Sequence, residues 1–172
     1  MSAHRFLRDE TRAAHEAVDA SFAGLDLAKR DDYAAFLVAH AAAFLPAEEA
    51  LTAAGADLLM PDWSVHRRGA LLAADLADMG VALPPPASAP RYDDEAAILG
   101  GAYVLEGSRL GGAMLRRQVG EGLPRRFLDA VQPPGRWRGF IALLEQKLYT
   151  EAEQRRARDA ALSTFALFGV QE

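Results

Sequence analysis

The sequence predicts an all-α protein made of a single domain. Apolar residues recur three and four positions apart along most of the chain, whereas no segment alternates apolar and polar residues as a strand would. Proline and glycine fall between the helical segments and mark their ends. Because 172 residues suit one hydrophobic core and no repeat or linker is visible, we expect residues 1–172 to form one helical bundle.

The first two thirds of the chain are predicted to form four helices, at about residues 3–22, 31–55, 62–79 and 93–119. Asp31 and Asp32 place carboxylates at the start of the second helix, where they interact favourably with the helix dipole. Pro46 is expected to kink or break that helix. Gly80 ends the third helix, and the proline-rich residues 84–90 form a stiff connection to the fourth.

The last third of the chain is predicted to form shorter elements. Pro124 opens a short helix that reaches Val131, and a Pro-Pro-Gly turn at 133–135 follows. The final two helices are predicted at about 136–149 and 150–168. A single continuous helix over both ranges stays open.

Composition weighs against several classes of function. The net charge of -5 argues against nucleic-acid binding, and the basic clusters are interpreted mostly as solvated helix faces. No apolar run of about 18 residues predicts a membrane span, and no signal peptide is visible, so a cytoplasmic protein is expected. The absence of cysteine removes disulfides, iron–sulfur clusters and thiolate ligands. The basic clusters are Arg67/Arg68, Arg116/Arg117, Arg125/Arg126 and Arg155/Arg156/Arg158.

His15 is the most informative single residue of the first predicted helix. It lies on the same broad face as the apolar residues Leu7, Ala14 and Val18. An imidazole there must either satisfy both ring nitrogens within the protein or bind a ligand. Taken alone, a hydrogen-bonded core or boundary histidine is the commoner of these two situations.

Charged residues flank His15 along the same helical stripe. Arg8 and Arg12 precede it by seven and three residues, which places Arg8 about 10 Å away along the helix axis. An imidazole beside two guanidinium groups suits a ligand with a metal at one point and carboxylates at another. Asp19, one turn further on, could accept the second ring N–H and fix the tautomer. Ordinary surface ion pairs would produce the same pattern.

The other three histidines carry less information. His4 is near the N-terminus, His40 lies within an alanine-rich helix, where it is expected to be packed or partly exposed, and His66 precedes two arginines and is expected at the surface. None has a glutamate three residues before it. The sequence therefore lacks the Glu-x-x-His pairs that a ferritin-type di-iron centre requires.

Glycines interrupt the fourth predicted helix at positions where the surrounding sequence favours a helix. Gly107, Gly111 and Gly112 each cost a helix interior roughly 1 kcal/mol relative to alanine. Their spacing matches neither a dinucleotide-binding fingerprint nor a phosphate loop. The bare backbone fits two explanations equally well: close contact with another helix, or contact with a flat, bulky ligand to which Ser108 adds a hydroxyl.

Two segments together resemble the haem oxygenase family. Residues 7–19, Leu-Arg-Asp-Glu-Thr-Arg-Ala-Ala-His-Glu-Ala-Val-Asp, are similar to the family's proximal helix. Residues 103–112, Tyr-Val-Leu-Glu-Gly-Ser-Arg-Leu-Gly-Gly, are similar to the distal helix of its bacterial branch, which includes the enzymes that supply biliverdin to bacteriophytochromes. The resemblance implies an all-α, haem-oxygenase-like helical bundle with a kinked distal helix.

The resemblance also implies a role for each matching residue. His15 becomes the axial ligand of the haem iron. The positions implied to bind haem are His15, Arg8, Arg12, Tyr103 and Phe165. The positions implied to form the catalytic distal segment, which bends over the haem, are Gly107, Ser108, Gly111 and Gly112. The mammalian-type distal helix has Asp where this chain has Ser108, although bacterial members often have Ser.

The implied reaction uses haem as both cofactor and substrate. Dioxygen binds the iron opposite the histidine, and the ring is opened to biliverdin, carbon monoxide and ferrous iron. Electrons must come from a separate reductase or ferredoxin, since no flavin or nicotinamide motif is visible. A bacteriophytochrome is one candidate acceptor of the biliverdin.

Three alternatives remain open at the level of the sequence. A non-catalytic haem-binding protein of the same fold would share His15. This alternative stays open because the chain has Ser108 in place of the distal aspartate. A different enzyme of the wider fold is disfavoured in both its forms: a thiaminase-like hydrolase by the absence of cysteine, and a di-iron oxidase by the missing Glu-x-x-His pairs. A purely structural helical partner protein would bind no haem.

Overall fold

The structure, a computed structural model, describes residues 1–130 and 132–169. Within these ranges the chain forms eight α-helices. They are α1 (Ala3–Phe22), α2 (Arg30–Ala53), α3 (Ala56–Leu59), α4 (Gly69–Asp78), α5 (Glu95–Leu115), α6 (Arg126–Asp129), α7 (Arg136–Lys147) and α8 (Glu151–Leu167). No strand occurs within these ranges, and the prediction of an all-α protein is confirmed. The predicted end of the short helix at Val131 lies outside the described residues.

Side-chain caps define where several helices begin. Ser2 caps α1 and Asp94 caps α5, each through a side-chain oxygen that accepts a backbone N–H of the first turn. Thr150 and Glu153 form a reciprocal capping box at the start of α8. Because α7 ends at Lys147 and this box begins a new helix, a single continuous C-terminal helix is excluded.

The third predicted helix is wrong over residues 62–68. The chain instead forms a 3-10 turn at Ser64–His66, and α4 begins only at Gly69. Glu48 of α2 provides the physical reason. Its two carboxylate oxygens accept the backbone N–H groups of Arg68 at 2.8 Å and of Gly69 at 3.0 Å, which fixes the first turn of α4. The capping group is distant in sequence, so local pattern could not reveal it.

The long helix α2 is a core element of the bundle. It continues through Pro46 without a break. Of the two expected effects of that proline, the break is therefore wrong and the kink stays a prediction. By length and composition α2 could also cross a membrane, because an 18-residue window within it has a mean hydropathy of 1.3. Its buried side chains, among them Phe36, Phe44 and Leu51, instead pack in the hydrophobic core against α4, α5 and α8.

Helix α8 packs against both α1 and α5 and so positions them. The approach of α5 to α8 is close at Gly100, where an added Cβ would lie 2.8 Å from the carbonyl carbon of Ala157. An added Cβ at Gly101 would lie 2.8 Å from Cζ of Tyr92 and 2.9 Å from the Leu51 side chain. Close packing therefore requires both of these glycines.

The N-terminus of α1 is held by a carboxylate of α7. The two oxygens of Glu145 accept the backbone N–H groups of Ala3 at 2.9 Å and His4 at 3.0 Å. Burial raises the pKa of Glu145, but these hydrogen bonds outweigh it and leave that pKa below its ordinary value. Helices α1 and α8 run in the same direction, with Glu10 near Arg158 and His15 near Phe165.

Candidate functional site

His15 projects from the border of the apolar face of α1. Its side chain is 60% exposed, and its ring packs edge-on against Phe165 of α8 with the centroids 5.9 Å apart. Nδ1 lies 3.7 Å from the carboxylate of Asp19, which is within ion-pair range but too long for a hydrogen bond. A hydrogen-bonded core histidine, the commoner alternative at this position, is therefore excluded.

A cavity of about 320 Å³ lies between α1 and α8, next to the Phe165 ring that contacts His15. Its walls are mostly small and apolar. They are formed by Ala14, Ala17, Val18, Ser21, Leu162, Phe165, Ala166 and Gly169. His15 does not line this cavity, and Phe165 is the residue that connects the two, since it lines the cavity and contacts the imidazole.

Arg8 of α1 lies near Tyr103 of α5, whereas Arg12 lies one turn further along α1. Both arginines are exposed, and Arg8 donates to the carboxylate of Asp9 at 3.1 and 3.2 Å. Burial raises the pKa of Tyr103, and Thr11 and Arg8 partly offset that effect. The Tyr103 ring also packs near His4 and Trp137. Tyr103 and Arg8 thus share one electrostatic environment at the N-terminal end of α1.

The second half of α5 leaves room for a Cβ at each of its glycines, although Gly112 itself is buried. An added Cβ at Gly107 would meet only the Trp137 ring at 3.8 Å, and one at Gly112 only the Leu128 side chain at 3.5 Å. At Gly111 no atom lies within 4 Å. These are ordinary contacts or none, so close packing of another helix does not explain these three glycines. Contact of these glycines with a ligand stays a prediction.

An apolar strip continues from the open glycines along α5. Leu110 is half-exposed and Met114 is 73% exposed, and both share a helix face with Gly107 and Gly111. Helix α5 keeps its α-helical hydrogen bonding throughout this segment, and a bend in its axis stays a prediction. The strip and the glycines together form an uncovered surface on α5.

The hydroxyl of Ser108 is hydrogen-bonded to other groups of the protein. Its Oγ donates to the carbonyl of Leu105 at 2.7 Å and accepts from Nη2 of Arg68 at 2.7 Å. The same Nη2 also donates to the Leu105 carbonyl at 2.6 Å. Ser108 therefore has a fixed hydrogen-bonding arrangement before any ligand is considered.

Arg68 is the residue that sequence reasoning missed. The interpretation of most basic clusters as solvated helix faces does not extend to Arg68, which is only 3% exposed. Its guanidinium packs against the adjacent rings of Phe44 and Phe127, 4.8 and 4.9 Å from their centroids. Burial, followed by repulsion from Arg109, lowers the pKa of Arg68 to about 9. One unusual signal was available: Glu48, a carboxylate within an apolar helix, marks this buried polar region.

A buried ion cluster surrounds the same segment of α5. Glu106 accepts from Nε and Nη2 of Arg136 at 3.0 Å each, and lies 3.3 Å from Nε of Arg109. Arg109 points inward, which the sequence did not settle, and its guanidinium also donates to the carbonyls of His66 and Ala130. The glycine-bearing half of α5 therefore has an open face on one side and buried charges on the other.

The other histidines form no second metal centre in the described ranges. His40 is packed against Phe22 and Phe36, and its Nδ1 lies 2.9 Å from the Phe36 carbonyl. Burial lowers the pKa of His40 to about 4, so its ring is neutral at neutral pH. Within 1–130 and 132–169, no group of three His, Cys, Asp or Glu side chains could hold a metal ion.

Comparison with known proteins places this site in context. No protein-family model matches the chain. A heme oxygenase of Xanthomonas campestris pv. campestris is 36% identical over 148 residues, which cover 80% of this chain and 87% of that protein. Heme oxygenase PigA of Pseudomonas aeruginosa is 32% identical over 158 residues, which cover 83% of this chain and 76% of that protein.

A solved structure shares the fold. The NO- and CO-bound heme oxygenase from Neisseria meningitidis matches with a TM-score of 0.81, covering 98% of this chain and 88% of that chain at 23% identity. At this identity the match shows a common architecture. Together with relatives above 30% identity that align over most of both chains, it establishes that this chain belongs to the haem oxygenase family.

Proposed function

We propose that this protein is a haem oxygenase, which cleaves haem to biliverdin, carbon monoxide and ferrous iron with dioxygen and external electrons. The observation that carries the proposal is the exposed imidazole of His15, whose ring packs against Phe165, a residue that lines an apolar cavity of about 320 Å³. Relatives named heme oxygenase, aligned over most of their length, support the same activity.

The residues of the site fit haem. Histidine is a common axial ligand of haem iron, and the His15 ring is exposed and engaged by no hydrogen bond among the described residues. The alanines, Val18 and Phe165 offer an apolar wall to the face of a macrocycle. Arg8 and Arg12 offer guanidinium groups to its carboxylates.

The residues around His15 would bind haem and orient it. When bound, haem supplies the iron at which dioxygen is activated, and it is itself the molecule that is cleaved. His15 would hold that iron, and Phe165 limits how far the imidazole can turn. Asp19 is placed to orient the ring after a small side-chain movement. Arg8, Arg12 and Tyr103 fix the rotation of the macrocycle in its plane.

The distal residues provide space and fixed dipoles. With no Cβ at Gly107 and Gly111, the backbone of α5 can approach the ligand closely, and no side chain occupies the room that a diatomic molecule needs. Ser108 donates its own proton to Leu105, so its Oγ presents a lone pair fixed by Arg68. Proton delivery then depends on ordered water rather than on a carboxylate at position 108.

We propose that the surroundings of the reaction follow the same family. Electrons come from a separate reductase or ferredoxin, because the sequence contains no flavin or nicotinamide motif. A bacteriophytochrome is a candidate acceptor of the biliverdin. The reaction takes place in the cytoplasm, and residues 1–172 act as one domain.

The test is a haemin titration of the apoprotein followed by supply of an electron donor and dioxygen. We expect a Soret band and then conversion of the bound haem to biliverdin. His15→Ala should abolish the band or weaken haem binding greatly. His66→Ala is the matched control, because its ring pairs with Asp62 at 3.7 Å, as that of His15 does with Asp19, and its loss should leave binding unchanged.

Each outcome selects one interpretation. Stable haem that never degrades during turnover would indicate the haem-binding protein of the same fold, and no Soret band would exclude both. A further variant tests the distal side: Gly111→Leu should fold and still block turnover, since its side chain would enter open space above the ligand.

A further inference from the structure

We propose that the rings of Trp137 and Tyr103 form an electron relay at the open face of α5, the face that Gly107 and Gly111 share. The relay returns an electron to bound haem when hydrogen peroxide oxidises that haem in the absence of external electrons. This inference rests on the proposed function, because it requires haem on the open face. It gives the same site a second use, which is the reduction of peroxide with an electron from the protein itself.

Trp137 of α7 borders the open face of α5. Its ring lies 3.8 Å from the position that a Cβ added at Gly107 would take. The preceding residue, Arg136, donates to the carboxylate of Glu106 at 3.0 Å and so ties the first turn of α7 to the turn of α5 that carries Gly107. A flat ligand on the open face would therefore contact the indole ring.

Tyr103 provides the second ring of the relay. It lies one helical turn before Gly107 on α5, and its ring centroid is 6.0 Å from that of Trp137 with an angle of 35° between the planes. This separation is typical of aromatic pairs in contact. Burial raises the pKa of Tyr103, so the phenol is protonated at neutral pH and must release that proton when it gives up an electron.

His4 places a proton acceptor beside both rings. Its half-buried imidazole packs edge-on against them, with its centroid 6.3 Å from that of Tyr103 and 5.9 Å from that of Trp137. Glu145 of α7 accepts the backbone N–H of His4 at 3.0 Å, which holds this end of α1 against α7. A neutral imidazole accepts a proton readily. The cluster therefore combines two oxidisable rings with a base.

Electrons and protons balance in the proposed relay. When peroxide reacts at the haem, its O–O bond breaks, one oxygen leaves as water with both protons, and the other stays at the haem with two electrons taken from it. Trp137 returns one electron to the haem and is reduced in turn by Tyr103. The phenol proton passes to His4, so a neutral tyrosyl radical and an imidazolium ion remain. The external electron donor later restores the phenol, and His4 returns the proton.

Trp63 and Tyr149 supply the matched controls. Trp63 is the second of the two tryptophans of the chain, and it is buried with its indole N–H donated to Thr52 of α2. Tyr149 is 76% exposed between α7 and α8. Trp63→Phe and Tyr149→Phe therefore remove the same chemical groups as Trp137→Phe and Tyr103→Phe but leave the cluster intact. Phenylalanine keeps an aromatic ring at each position, so the packing is retained.

The first measurement mixes haem-loaded protein with hydrogen peroxide, without an electron donor, and records the electron paramagnetic resonance of rapidly frozen samples. We expect a tyrosyl radical in wild type, in Trp63→Phe and in Tyr149→Phe. Tyr103→Phe should lose this signal, and Trp137→Phe should lose most of it. Wild-type protein that binds and degrades haem but forms no tyrosyl radical would overturn the relay alone. A signal that survives either cluster substitution unchanged would overturn the role of that ring.

The second measurement uses the apoprotein and needs no haem. Azide radicals made by pulse radiolysis oxidise tryptophan preferentially, and in Trp63→Phe the one remaining indole is that of Trp137. The indole radical should decay as a tyrosyl radical appears, and adding Tyr103→Phe should abolish this transfer while Tyr149→Phe retains it. Transfer that persists without Tyr103, or no transfer at all, would overturn the relay.

The two measurements separate the relay from the proposed function. A wild-type protein that binds no haemin would overturn the proposed function and the reduction of peroxide together. The radiolysis result would still decide whether an electron passes between Trp137 and Tyr103.

Discussion

The two halves of α5 use glycine for opposite reasons. At Gly100 and Gly101 the helix presses against Ala157, Tyr92 and Leu51 so closely that a methyl group cannot fit. Two turns later, Gly107 and Gly111 face ordinary contacts or open space. The same residue type in one continuous helix therefore marks tight packing at one end and an accessible surface at the other.

The difference shows how one helix can serve both stability and function. The first half is buried in the apolar core and contacts α8, so its glycines contribute to the fold. The second half gains its support from the charged groups behind it, chiefly Glu106, while its open face gives up the stability that side chains would add. Replacing glycine with alanine should therefore change the free energy of unfolding in opposite directions in the two halves.

The largest effect is expected at the tightly packed end. Gly100→Ala should lower the free energy of unfolding by about 3 kcal/mol or more, because both atoms in the clash are fixed by backbone. Urea unfolding monitored by circular dichroism measures the change. The same substitution at Gly111 is the control, and a Gly100→Ala protein as stable as wild type would erase the contrast between the two halves.

The next effect concerns the support behind the open half. Glu106→Gln should cost about 2 kcal/mol, because Arg109 stays buried without a charged partner and Arg136 keeps only its pair with the more exposed Asp62. Glu95→Gln is a suitable control, since its pair with Lys147 is largely exposed and should be worth less than about 0.5 kcal/mol. Equal losses in the two variants would mean that the buried cluster gives the second half no special support.

A smaller loss is expected at Gly101, whose neighbours are side chains. Gly101→Ala should cost about 1–2 kcal/mol, since Tyr92 and Leu51 can move slightly. Combining it with Leu51→Ala in a double-mutant cycle should show that the shortened leucine relieves part of the clash. Strict additivity of the two free-energy changes would contradict contact between these positions.

The smallest effect is expected at Gly111 and has the opposite sign. Gly111→Ala should stabilise the apoprotein by about 0.5–1 kcal/mol, because alanine restricts the unfolded chain and meets no atom in the folded one. Thermal unfolding of the apoprotein measures this gain. A loss similar to that of Gly101→Ala would show that the second half is packed after all.

Local pattern predicted most of the helices and failed where a distant group intervened. The range of α1 could be read from periodicity, whereas the start of α4 depends on Glu48, about twenty residues earlier. The candidate site shows the same limit. Its glycines and His15 stand out in the sequence, but nothing local distinguishes buried Arg68 from exposed Arg67, because the difference lies in the Phe44 and Phe127 rings around it.

Glu145 anchors α1 at its N-terminus, far from His15, so a small rotation of the helix about this anchor would move His15 by a larger distance. Glu145 holds the helix at Ala3 and His4, and His15 lies roughly 17 Å further along the axis. A tilt of about 5° at the pivot would carry the imidazole by about 1.5 Å, an amplification that follows from length alone. Since the pKa of Glu145 is lowered, its contribution to stability is present above the ordinary carboxyl range and is lost only as the pH falls through that lowered value.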